Sequence, residues 1–99
     1  MSVKQFMSEN RQAIQRIINE LPSPFDSHDF IRAFSREFQV DYVRLLSQYT
    51  EEPFIKVHGQ IGRFLADNQN TLNISSQGKV YSKNIFGEES ENEQWLLNN

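Results

Sequence analysis

Thr71-Leu72-Asn73-Ile74-Ser75-Ser76-Gln77-Gly78-Lys79-Val80-Tyr81-Ser82-Lys83-Asn84-Ile85-Phe86-Gly87 is the stretch on which the fold turns. Before it, apolar residues recur at three- and four-residue steps, the mark of helices with one buried face. From Leu72 and Ile74 onward they alternate with polar residues. Ser75-Ser76-Gln77-Gly78 is turn chemistry, and the run from Lys79 to Phe86 is β-leaning in Val80, Tyr81, Ile85 and Phe86. A two-stranded hairpin over 71–86, closed by Gly87, follows from this change of period. The chain is therefore expected to be mainly α with a small β-hairpin.

Upstream, the helices can be read from their start signals. Ser2 with Gln5 has the form of a capping box, and Val3, Phe6, Met7, Ile14, Ile17, Ile18 and Leu21 make one stripe of a helix that Pro22 and Pro24 end. Asp26 with Asp29, and Phe25 with Phe30 as a staple, open a second helix from Ser27 to Phe38 that buries Phe30, Ile31, Phe34 and Phe38. Asp41 is expected to cap a third, stapled by Val40 and Leu45. Pro53 after Glu51-Glu52 opens a fourth, which buries Phe54, Val57, Ile61, Phe64 and Leu65. Gly59 and Gly62 fall inside it at about 1 kcal/mol each against Ala, so either a close contact compensates or the helix begins later.

Downstream, Ser90 with Glu93 has the form of another capping box, which predicts a short C-terminal helix that folds Trp95, Leu96 and Leu97 onto the body. The whole reads as one domain over 1–99: an N-terminal helix at 1–21, a helical core at 26–70, the hairpin at 71–86, and an acidic tail with a short helix at 87–99. A length of 99 residues suits one core, and its 12% aromatic share makes that core ring-rich. With no cysteine, no apolar run of roughly 18 residues and no leader-like start, a cytoplasmic protein without a membrane partner is expected.

Candidate chemistry is sparse. His28 and His58 stand at separate places with no ligand-spaced partner, so surface or cap-adjacent histidines are the plainer reading, and neither an enzyme nor a cofactor is expected. Gly59-Gln60-Ile61-Gly62 is similar to the GxxG with which KH domains clamp a nucleic-acid backbone, although tight packing of the fourth helix against the first or second is the preferred account. The net charge of −3 is divided into −2 over 1–53, +3 over 54–86 and −4 over 87–99. Glu88, Glu89, Glu91 and Glu93 of the tail either cover the basic segment or simply solubilise the end.

Two helices joined by a tight turn, a further helix and then a hairpin resemble winged helix-turn-helix domains over residues 27–86. The fold expected is α+β: four helices, a two-stranded wing-like hairpin and a short C-terminal helix. The resemblance implies that the fourth helix reads the major groove and the hairpin touches phosphates. Carried onto this chain, Lys56, Gln60 and Arg63 would face bases, and Lys79 and Lys83 the backbone. The plainer reading makes these bases a solvated helix face and a lysine-protected sheet edge. The function expected is thus a non-enzymatic adaptor or regulator that binds duplex DNA, with a homodimer through the first helix allowed. The alternative is a protein-interaction module whose helical surface makes the contact. Two observations would separate them: an intramolecular ion pair at Arg63 removes the reason to prefer nucleic acid, and burial of Phe30, Phe34, Phe38 and Trp95 counts against the protein-interaction module.

Overall fold

A computed structural model describes all residues, 1–99. The helices are α1 (Val3–Glu9), α2 (Arg11–Glu20), α3 (Ser27–Glu37), α4 (Gln39–Ser47), α5 (Pro53–Asp67) and α6 (Gln69–Leu72); the strands are β1 (Phe25–Asp26), β2 (Ile74–Lys83) and β3 (Glu89–Leu97). The strands form one antiparallel sheet in the order β1-β3-β2. A single cluster of buried apolar side chains draws on every helix and strand, from Val3 and Phe6 to Ile74 and Trp95. At its centre the Phe6 ring meets Phe34 and Phe38 edge-on at 5.9 and 5.0 Å, the arrangement the ring quadrupole favours. No helix is long and apolar enough to cross a membrane.

Several expected starts are where the sequence puts them. Ser2 accepts a hydrogen bond from the Gln5 amide. Asp26 and Asp29 close a complete capping box, with bonds of 2.9 and 3.0 Å. Pro53 is the first residue of α5. The first predicted helix, however, is two. Asn10 leaves helical geometry and its side-chain amide donates to the Phe6 carbonyl at 2.8 Å, so the side chain competes with the ladder it should continue. Asn68 repeats the device with Phe64 between α5 and α6. The third predicted helix begins after Phe38, not at Asp41, which lies inside its first turn, and Val40 is exposed instead of stapled.

The C-terminal region differs most. No helix follows Gly87: Glu89–Leu97 is the long strand β3, paired with β2 from Ile74↔Leu97 to Lys83↔Glu89. The turn expected at Ser75-Ser76-Gln77-Gly78 is a bulge within β2, where Ser76 opposes Trp95, Gly78 opposes Gln94 and Gln77 is the extra residue. Gly78 takes φ +94° there, a region open to glycine. The hairpin turn is Asn84–Glu88, whose Asn84 side chain accepts from the amides of Phe86 and Glu88. A partner remote in sequence decides between helix and strand. Ser90 is satisfied by His28 of α3 and Glu93 across the sheet by Ser76 and Lys79, and Trp95 lies opposite Phe25 of β1.

Candidate binding groove

The five predicted contact residues have different partners. Arg63 Nε lies 3.4 Å from Asp67, with side chains 79% and 62% exposed. Lys79 Nζ lies 3.2 Å from Glu93. Lys56 sits 5.6 Å over the ring of Tyr49, and Gln60 donates to the Tyr49 hydroxyl at 2.7 Å, so both turn toward the chain leaving α4. Lys83 is exposed near the hairpin turn without an ion pair, its carbonyl accepting from Arg32. Of the four tail carboxylates, Glu93 alone meets a base. Its pKa is lowered, first by the hydrogen bond from the Ser76 hydroxyl and also by Lys79.

What does converge is a groove of about 580 Å³ between α5, the start of α3 and the hairpin, with Arg63 and Lys79 on the same wall system. Gly59, Gly62 and Ala66 line it along α5, at the spacing that shares one helix face. A methyl group added at Gly59 or Gly62 would meet no atom within 4 Å. Neither account expected of these glycines applies. Nothing packs close to them, and they stand in the interior of a regular helix and not in a GxxG loop. On the other flank of α5 a hollow of about 280 Å³ is lined by Lys4, Gln60, Arg63 and Asp67. Arg63 borders both spaces, with Lys4 of α1 on one side and Lys79 on the other.

Both histidines also reach the groove, which their separation in sequence hides. His28 binds Ser82 Oγ through Nδ1 at 2.9 Å and Ser90 Oγ through Nε2 at 3.3 Å. Asn92, buried in β3, accepts from the His28 amide and donates to Val80 and Ser82. This network ties both hairpin strands to the open amides at the start of α3. His58 stacks on Tyr42 with rings 7° from parallel and Nε2 2.6 Å from the hydroxyl. Burial pushes the Tyr42 hydroxyl above its usual value. It therefore keeps its proton, and the phenol and the neutral imidazole share one hydrogen bond at Nε2.

Burial, and secondarily the charge of His28, hold the His58 imidazole down to about 4. An unfolded histidine titrates near 6.5, so the unfolded chain takes up a proton that the folded chain refuses between those values. His58 stability is complete above pH about 6.5 and declines as pH falls toward about 4. The unscreened shift would correspond to about 3 kcal/mol, and partial exposure of the ring to the groove reduces this to roughly 1–2 kcal/mol. Urea unfolding at pH 7.5, 5.5 and 4 should show the decline in the wild type and a shallower one in His58→Gln. Equal slopes would refute the assignment.

The apolar end of the groove was legible only in part. Phe30, Phe34 and Trp95 are buried and Phe38 half-buried, so the aromatic helical surface expected of a protein-interaction module is absent, and any such contact must be made elsewhere. Ile55 and Phe86 are exposed instead, at 67% and 56%, and both border the groove. Ile55 falls outside the buried stripe of α5 by simple helical spacing, a signal available in the sequence. Phe86 does not announce itself, because its position depends on where the hairpin turns. Comparison with known protein families, curated proteins and solved structures finds no match to this chain. Its function must be argued from its own residues.

Proposed function

We propose that this chain is a non-enzymatic interaction module that receives a segment of another protein in the groove between α5 and the hairpin. The observation that carries the reading is the pair of interior helix glycines with open space above them. They weaken α5 by about 1 kcal/mol each and gain no packing within the chain. A guest chain that must approach the helix backbone supplies the reason for them, and the exposed Ile55 and Phe86 on the lip supply it with apolar anchors.

Duplex nucleic acid, bound in the winged helix-turn-helix manner, is the second reading. It is favoured by Arg63 standing between Lys4 and Lys79 on the exposed side of α5. The order of α3, α4, α5 and the β2–β3 hairpin is compatible with it. The Arg63–Asp67 and Lys79–Glu93 pairs remove the reason to rank it first, even though exposed pairs of this kind are worth only about 0.2–1 kcal/mol and a phosphate could displace them.

A random-peptide display library panned on the wild type and on Gly59→Ala/Gly62→Trp tests the choice. A convergent peptide family is expected on the wild type and none on the filled groove. Labelled duplex DNA is titrated in parallel at about 50 mM salt. Duplex binding that Lys4→Ala and Arg63→Ala both weaken, with no peptide family enriched, would transfer the function to nucleic acid.

A further inference from the structure

The lip of the groove has a charge of its own. Phe54 and Phe86 meet edge-on at 5.0 Å, which folds the hairpin turn back onto the first turn of α5. Two carboxylates, Glu51 and Glu52, immediately precede this helix, and Glu88 and Glu89 follow Phe86 across Gly87. Glu91 borders the groove itself. All five are exposed, and none makes an ion pair. The nearby bases form no ion pair with them: Lys56 is drawn over Tyr49, Lys83 stands opposite Glu89 in the sheet without an ion pair, and Arg63 and Lys79, which line the groove, pair with Asp67 and Glu93. Glu52 occupies a left-handed position at φ 46°, where glycine or asparagine would sit more easily. The chain nonetheless places a carboxylate there.

From this arrangement we infer that the partner is a basic segment with apolar anchors, its Leu- or Phe-type side chains set against Ile55 and Phe86 and its Lys or Arg side chains facing the carboxylates beside the lip. The inference rests on the interaction reading above and adds the chemistry of the guest. Exposed apolar surface at the lip supplies affinity, and unpaired carboxylates beside it select charge and speed encounter. The same carboxylates disfavour a duplex or an anionic lipid surface at the lip. They would attract the lysines of a second copy of this chain, which is therefore an explicit alternative in the test.

Three synthetic peptides of equal length, Leu/Lys, Leu/Gln and Leu/Glu, are titrated into isotopically labelled protein and followed by amide NMR, with sedimentation as a check on self-association. The Leu/Lys peptide is expected to shift Ile55, Gly87, Glu88 and Glu91. Its affinity should fall about tenfold or more between low and high salt, and likewise in Glu51→Gln/Glu52→Gln/Glu88→Gln/Glu89→Gln. Phe86→Ser should abolish the shifts, with the amide spectrum of the free variant checked for an intact core because the substitution also removes the Phe54 contact. Equal binding of Leu/Gln at the lip overturns the charge assignment and leaves the interaction reading standing. Self-association centred on the lip, or no Leu/Lys binding at all, overturns the inference, and the display experiment then decides the reading separately.

Discussion

Trp95→Ala should lower stability by about 3–5 kcal/mol, the range for deleting a large buried aromatic, and urea unfolding followed by far-UV circular dichroism will read it. The indole is 1% exposed. It lies on the central strand of the sheet, opposite Phe25 on one side and Ser76 on the other. Its N–H donates to Ser27 Oγ at 3.0 Å, at the first residue of α3. One side chain thus joins β1, β2, β3 and α3. A domain of this size has only about 5–15 kcal/mol in all, so the variant should be partly unfolded at physiological temperature. Ser27→Ala, which keeps the ring and leaves its donor buried without a partner, should lose about 1–3 kcal/mol. A loss below about 1 kcal/mol in Trp95→Ala would show that β3 does not unfold with the helices as one cooperative unit.

Trp95 also marks the limit of what local pattern reveals. The helix starts at Ser2, Asp26 and Pro53 were readable because a cap is a short-range device, formed by residues within one turn of each other. The break at Asn10 was less so, because an asparagine can sit on a helix or bond its own carbonyl, and the sequence does not say which. Residues 87–99 were misread for a different reason. Ser90 and Glu93 satisfy the spacing of a capping box, but the same hydroxyl and carboxylate are satisfied equally well by His28, Ser76 and Lys79, which only the tertiary fold brings near. Propensity yields to pairing when the strand partner buries a tryptophan.

The site follows the same division. That Arg63 and Lys79 border a common space was foreseeable from a helix followed by a hairpin. That each meets an acid was half visible, since Asp67 stands four residues from Arg63, at the ion-pair spacing of a helix. Glu93, by contrast, required the correct strand register. Lys4, His28 and His58 could be placed at the groove and its neighbour only by the packing of α1 and α3 against α5 and the hairpin.

The double substitution Gly59→Ala/Gly62→Ala is expected to make the protein more stable and a poorer binder at once. Each glycine lies inside the 15-residue helix α5, where alanine is better by about 1 kcal/mol through its smaller loss of backbone freedom. Neither new methyl group would meet an atom within 4 Å, so no clash offsets the gain, and about 1–2 kcal/mol should appear in urea unfolding. The same two methyl groups project from the α5 wall of the groove into the space a guest backbone would occupy. Affinity for any segment selected by the display experiment should fall by about tenfold or more, a stability gain bought with function. A shared sign would be decisive in either direction: lower stability would mean that α5 has a neighbour over these glycines in solution, and unchanged affinity would mean that the guest never comes near the α5 wall.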